Sequence, residues 1–175
     1  MNRNTLVILL QILSTLAYAQ QSQPKLVLLQ NEGLLPLQHL AYRTINYSNN
    51  ELLEEFGKRY TENQGKDTIT IESISGTQRP ALQGDVLIIY GDSVELYRSD
   101  FQHYRAVIYA AERDTLTVDY ITQKIFGGRA FDQVLKTSVY GFEAGHGLST
   151  AGGLRFAFGT PAEANLDSAY LYATL

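Results

Sequence analysis

The sequence predicts an α/β fold, a three-layer sandwich with a mainly parallel sheet flanked by helices. Residues 85–90 and 104–111 are continuous apolar runs, the pattern of strands that are buried on both faces of a sheet. Residues 114–126 instead carry apolar side chains at helical spacing. Strands that alternate with helices favour a parallel sheet. With 45% hydrophobic residues, the chain can also bury a substantial core.

Residues 1–19 have the features of a secretory signal peptide. Arg3 supplies a positive charge, residues 6–16 are mostly apolar, and Ala17-Tyr18-Ala19 is a small-residue cleavage pattern. The predicted mature chain therefore begins at Gln20. The alternative is a membrane anchor, but the apolar stretch is shorter than the ~20 residues that a span requires. We expect a periplasmic or secreted protein with no membrane span after cleavage.

The remainder of the 175-residue chain has the length of one domain and divides by composition. Residues 20–40 are predicted to be an N-terminal tether, because Pro36 interrupts their apolar run. Residues 41–140 are predicted to form the α/β sandwich domain. Residues 141–175 begin with a glycine-rich stretch and are predicted to be a C-terminal linker or tail.

The elements of the sandwich are predicted in order from local patterns. Residues 41–48 and 68–74 alternate between apolar and polar positions and read as strands on either side of a helix over residues 50–60. The two apolar strands and the second helix follow, and Gly127-Gly128 ends that helix. Residues 134–140 and 154–158 are predicted as two further short strands.

Composition and spacing exclude several functions. The formal charge is −4 and no basic run occurs, so nucleic acid is not an expected partner. There is no cysteine, and His39, His103 and His146 lack zinc-ligand spacing, so no metal site is predicted. No glycine-rich phosphate loop lies between a strand and a helix. The sequence therefore predicts no cofactor and assigns no catalytic residue.

Ligands of open α/β sheets bind outside the carboxyl ends of the strands. The predicted strand ends give five candidate cleft-lining residues, Tyr47, Ser48, Asp92, Ser93 and Glu112. His146 is a further candidate because it lies between two glycines, and glycines let a backbone approach a ligand closely. The alternative, which we favour for His146, is a surface loop whose glycines serve turns.

Four segments carry a resemblance. They are residues 26–37 (L-V-L-L-Q-N-E-G-L-L-P-L), 85–92 (D-V-L-I-I-Y-G-D), 106–112 (A-V-I-Y-A-A-E) and 125–128 (I-F-G-G). In this order they resemble the opening link, two strands and a helix end of the C-terminal α/β sandwich of glycoside hydrolase family 3.

The C-terminal segment resembles a narrower branch of that family. Residues 142–150 (F-E-A-G-H-G-L-S-T) and 155–163 (R-F-A-F-G-T-P-A-E) are similar to a linker in exported bacterial β-N-acetylglucosaminidases. In those proteins a β-lactamase-like domain follows the sandwich.

The chain also departs from the family pattern. Gln133, Val134 and Lys136 stand where the family has Gly, Lys or Arg, and Pro. Residues 74–84 are short for the strand and helix usually found there, so we expect the sheet to be short of one β-α unit. The family's catalytic residues lie on a barrel whose signature, K-H-F-P-G-H-G-D, does not occur here. The resemblance therefore gives His146 no catalytic role.

The resemblance implies an exported accessory domain that is not catalytic alone. Its role would be associated with hydrolysis of O-glycosyl bonds in carbohydrate or cell-wall glycan metabolism, and its partner would be a glycosidase barrel or a glycan. Two alternatives stay open. One is a split β-N-acetylglucosaminidase subunit that is active only with a separate barrel chain, and the other is a simple carbohydrate-binding module.

Overall fold

A computed structural model of the chain describes residues 24–48, 50–76, 78–92 and 96–158. The chain divides into one unit of Pro24–Ala157 and a second unit of Met1–Gln23 with Phe158–Leu175. Of the second unit, only Phe158 is among the described residues. The predicted signal peptide therefore lies outside them.

The centre of the first unit is a mixed five-stranded sheet. Its strands are β1 (Leu26–Asn31), β2 (Arg43–Ser48), β3 (Asp67–Ser75), β4 (Val86–Tyr90) and β5 (Ala106–Ala110). They lie in the order β1-β5-β4-β3-β2. Strands β2 to β5 pair in parallel, whereas β1 pairs antiparallel with β5.

Helices follow the strands as the local sequence predicts. The helices are α1 (Glu51–Gly57), α2 (Thr115–Ile125) and 3-10 helices at Leu40–Tyr42 and Arg98–His103. The side chains of Asn50 and Asp114 cap α1 and α2 by accepting hydrogen bonds from free backbone amides. The prediction of an α/β fold is confirmed. Among the described residues, no helix has the length and apolar character that crossing a membrane requires.

Two predicted strands are wrong. Residues 134–140 and 154–158 are irregular, apart from an isolated bridge between Val139 and Phe142. The physical reason for the first is that Leu135 and Val139 turn into the core beneath them instead of pairing along a sheet edge. Apolar alternation reports which side chains are buried, and an irregular segment that lies on a sheet can satisfy it too.

The first unit is longer at both ends than the predicted sandwich. Strand β1 comes from the segment predicted as a tether and forms one edge of the sheet. Residues 141–157, from the segment predicted as a linker, also belong to this unit.

The two central strands are buried on both faces. Alternate residues of β4 and β5 enter two separate apolar clusters, one on each face of the sheet. Helices α1 and α2 cover the first face with Leu53, Phe56, Val118 and Ile121. The second face is covered by Phe101, Tyr104, Leu135 and Phe142, which come from a 3-10 helix and irregular segments. Full burial of each such side chain contributes roughly 1.5–3 kcal/mol.

A buried carboxylate attaches the loop before β4 to the sheet. Glu72 of β3 is 3% exposed and accepts hydrogen bonds from the Tyr104 hydroxyl, at 2.5 Å, and from the Ala81 amide. The same hydroxyl accepts a hydrogen bond from the Leu82 amide at 3.1 Å. Burial, together with the bond to Glu72, raises the pKa of Tyr104, so this hydroxyl stays a neutral donor. These bonds offset the cost of burying the carboxylate.

The N-terminal segment, the end of α2 and the C-terminal segment meet at one junction. The Leu37 amide donates to the Ile125 carbonyl at 2.8 Å. The Arg155 guanidinium donates to the carbonyls of Leu37, at 2.9 Å, and Phe126, at 2.5 Å. Carbonyls at the end of a helix have no partner within the helix, so Arg155 supplies a donor that α2 itself lacks.

Replacing Arg155 with Ala is expected to lower the free energy of unfolding by roughly 1.5–3 kcal/mol, the usual contribution of hydrogen bonds to a charged group. Urea denaturation followed by circular dichroism measures the change. Arg79→Ala, which removes an exposed arginine from the loop before β4, is the control. It is expected to cost less than about 0.5 kcal/mol. Equal losses for the two variants would contradict the role of Arg155.

Candidate functional site

A cleft lies at the edge of the sheet where the parallel strands end. It has a volume of about 780 Å³ and lies between the N-terminal ends of α1 and α2. Its polar lining comprises Tyr47, Asn50, Glu51, Glu54, Arg113, Asp114 and Thr115, and Leu52 and Val118 add apolar surface. This is the position at which open α/β sheets bind ligands.

Asn50 connects the wall of the cleft to the buried strands. Its side chain is buried, and its amide nitrogen donates to the hydroxyls of Tyr90, at 3.0 Å, and Ser73, at 3.2 Å. Its oxygen accepts the amide of Leu53 at 3.0 Å. Burial raises the pKa of Tyr90 to about 12, so the Tyr90 hydroxyl is neutral at physiological pH. The start of α1 is therefore held in place by β3 and β4.

Tyr47 contributes an aromatic ring to the cleft. The residue is half-buried, and its hydroxyl oxygen is fully enclosed with no hydrogen-bond partner. The hydroxyl lies against Gly57, where an added Cβ would be 2.0 Å from it. Burial raises the pKa of Tyr47, and the nearby Glu54 carboxylate adds to the shift. The ring is thus a neutral surface held against α1.

Arg113 and Asp114 form the opposite wall. The Asp114 carboxylate accepts the Thr117 amide at 2.7 Å and so caps α2. The Arg113 guanidinium lies 5.4 Å from the centre of the Tyr90 ring and donates to the Ser75 hydroxyl at 3.3 Å. The cleft therefore presents carboxylates, a guanidinium and an aromatic ring within one surface.

The structure brings only part of the predicted site together. Tyr47 lines the cleft, and Ser48 is the half-buried last residue of β2 beside it. Glu112 is exposed and immediately precedes the cleft residue Arg113. Ser93 lies outside the described residues.

Asp92 belongs to a different pocket. That pocket has a volume of about 400 Å³ and includes Val27 and Leu135, which belong to the apolar cluster on the second face of the sheet. Asp92 accepts a hydrogen bond from the Tyr109 hydroxyl. Burial of the Tyr109 ring raises the pKa of Tyr109, and the hydrogen bond to Asp92 raises it further. Asp92 is thus on the face away from α1 and α2.

His146 is bound to the edge strand β1. Its Nε2 donates to the carbonyl of Leu29 at 2.7 Å, and its ring centre lies 4.6 Å from that of Phe142. An added Cβ on Gly147 would lie 2.3 Å from the Gln133 carbonyl, so the glycine allows two backbones to approach closely. The hydrogen bond from His146 to Leu29 therefore attaches the C-terminal segment to β1.

The strand-end rule does not reach Asn50 and Asp114, although both line the cleft. Asn50 and Asp114 were recognisable as helix caps. The signal that could have found both is the strand-end rule extended by one or two residues to the cap of the following helix.

No group of three or more His, Cys, Asp or Glu side chains in the described ranges is arranged to hold a metal ion. No protein-family model matches the chain, and no curated protein matches it. The chemistry of the cleft is therefore the main guide to function.

Tyr47→Phe is expected to raise the free energy of unfolding by about 1 kcal/mol, because it removes a buried hydroxyl that has no hydrogen-bond partner. Urea denaturation checks the sign. Tyr104→Phe is the matched control and should be destabilising, since the Tyr104 hydroxyl bonds to Glu72 and Leu82. A destabilised Tyr47→Phe protein would show that the hydroxyl is satisfied in solution.

Stability is expected to fall as pH rises from about 10 to about 12. The pKa of Tyr90 rises from 10.0 to about 12 on folding, so in this window the folded state retains a proton that the unfolded state has lost. Tyr90→Phe should flatten the decline, measured as the urea midpoint at several alkaline pH values. Tyr42→Phe, at a tyrosine that is 71% exposed, should leave the slope unchanged. Identical slopes for both variants would contradict this assignment.

Proposed function

We propose that the chain is an exported accessory domain that binds a glycan in the cleft between α1 and α2 and is not catalytic alone. The observation that carries the proposal is the composition of this cleft. It combines the ring of Tyr47 with the carboxylates of Glu51 and Glu54 and the guanidinium of Arg113.

This combination suits a sugar better than an apolar or strongly anionic ligand. A sugar ring presents hydroxyls around its rim and C–H groups on its faces. The hydroxyls match carboxylates and guanidinium groups, both of which form strong hydrogen bonds. The C–H faces match an aromatic ring with an apolar body, here Tyr47. Three carboxylates against one guanidinium disfavour phosphate-rich ligands.

The proposal includes a relation to the C-terminal sandwich of family 3 glycosidases, in its exported β-N-acetylglucosaminidase branch. Its support is the order of the resembling segments and their contacts. The link around Leu37, the helix end at Phe126 and the C-terminal Arg155 are joined by hydrogen bonds. Segments far apart in the sequence thus form one structural junction.

The finer architecture is proposed on the same basis. A three-layer sandwich is supported by the apolar clusters on both faces of the sheet. A sheet short of one β-α unit is supported by the connection between β3 and β4, whose described residues contain no helix. Export is supported by the signal-like residues 1–19.

Binding can be measured by calorimetry with soluble oligomers of N-acetylglucosamine. Tyr47→Ala is expected to weaken binding roughly tenfold, since stacking on an aromatic ring contributes on the order of 1 kcal/mol. Tyr47→Phe keeps the ring and should retain affinity. Asp92→Asn, on the other face of the sheet, is the control and should bind as the unaltered protein does.

Equal affinity of the Tyr47→Ala and Tyr47→Phe variants would show that the glycan does not bind in this cleft. If the unaltered protein does not bind these oligomers, the proposal that it recognises this sugar is rejected. The non-catalytic part is tested separately with an aryl N-acetylglucosaminide. Hydrolysis by the purified chain at enzyme-like rates would overturn it.

A further inference from the structure

The pocket that contains Asp92, of about 400 Å³, lies at the same edge of the sheet as the cleft but on the other face. Asp92 and Ala111 follow the parallel strands β4 and β5. Lys25 precedes the antiparallel strand β1, and its carbonyl accepts the Ala111 amide at 3.2 Å, so it lies at this edge too. The strand-end rule that locates the cleft therefore applies to this pocket as well. We call it the Asp92 pocket.

One wall of the Asp92 pocket, residues 133–139, is held in place at both ends. The Gln133 side chain accepts the Leu26 amide at 3.0 Å and so joins the wall to β1. The hydroxyl of Tyr140, the next residue after the wall, donates to the Gly91 carbonyl at 2.6 Å and joins it to the end of β4. The pocket is therefore formed before a ligand binds, as most small-molecule sites are.

The floor of the Asp92 pocket is apolar. Val27, Tyr109, Leu135 and Val139 line it, and all four side chains are buried. Val134, which is 53% exposed, extends the apolar surface toward solvent. A volume of about 400 Å³ is near the lower end of the range for ligand sites, roughly 300–1,000 Å³. The pocket therefore suits a small molecule with an apolar body.

The charged groups of the pocket favour an anion. Lys25 and Lys136 both line it, and within the described part of the chain neither forms an ion pair with a carboxylate. The opposing charge is Asp92, whose carboxylate already accepts the Tyr109 hydroxyl. An ammonium group offers three donors, and a carboxylate accepts such charge-assisted hydrogen bonds strongly.

We propose that the Asp92 pocket binds a small organic carboxylate. The apolar body of this ligand lies on the floor of the pocket, and its carboxylate pairs with Lys25 and Lys136. A carboxylate is favoured over a phosphate because Asp92 repels a dianion more strongly than a monoanion. The site is separate from the proposed glycan cleft, since the two lie on opposite faces of the sheet.

The probe is benzoate, and benzamide is its neutral counterpart of the same shape. Each is titrated into the ¹⁵N-labelled chain and followed by amide NMR shifts, which give both the affinity and the location. Benzoate is expected to bind roughly tenfold more tightly than benzamide, because its hydrogen bonds to the two lysines are charge-assisted. Saturating shifts are expected at the amides of Val27, Tyr109 and Leu135.

Two variants should change the affinity for benzoate in opposite directions. The double variant Lys25→Met/Lys136→Met keeps the apolar stems and should lower the affinity to that of benzamide. Asp92→Asn removes the negative charge and should raise the affinity several-fold, a gain that mere disruption of the pocket would not produce. Lys58→Met/Lys66→Met removes two exposed lysines elsewhere and is the charge-matched control, with no change expected.

Equal affinities for benzoate and benzamide would overturn the proposal, as would the absence of saturable shifts in the unaltered chain. Equal losses in the two double-lysine variants would show that benzoate is attracted only by the net charge. Shifts confined to Tyr47 and Arg113 would place benzoate in the other cleft and would equally reject the Asp92 pocket. Circular dichroism establishes that each variant is folded.

Discussion

The burial of β4 and β5 on both faces is the constraint on which the rest of the structure depends. Because every side chain of both strands is apolar and successive side chains point to opposite faces, both faces of the sheet must be covered. Helices α1 and α2 cover one face, and a 3-10 helix with irregular segments covers the other. The first cover is helical, and the second is largely irregular.

The helical cover creates the cleft. Helices that follow parallel strands begin at the same edge of the sheet, so α1 and α2 present their first turns side by side. One side chain of the cleft wall is anchored in the core, since Asn50 bonds to Ser73 and Tyr90 on neighbouring strands. The start of α1, which Asn50 holds, is therefore in place before a ligand binds.

Two side chains of the C-terminal segment are bound to backbone carbonyls. His146 donates to Leu29, and Arg155 donates to Leu37 and Phe126. Side chains from the C-terminal segment thus replace the pairing that a regular strand would have supplied. A side chain also replaces strand pairing at β2, because the Asn63 side chain bonds to both the amide and the carbonyl of Ile45. Tyr47 lies on β2 and also lines the cleft.

The sequence by itself determined the local elements, because apolar spacing, helix caps and glycine stops act within a few residues. The runs that become β4 and β5, the Asp114 cap and the stop after Phe126 are all predictable in this way. Only the tertiary structure decided that Tyr47 and Asp92 serve different pockets, and that residues 134–140 lie on the sheet instead of joining it. The reason is that a two-residue period separates the two faces of a strand without saying what will cover each one. That choice depends on contacts between segments far apart in the chain.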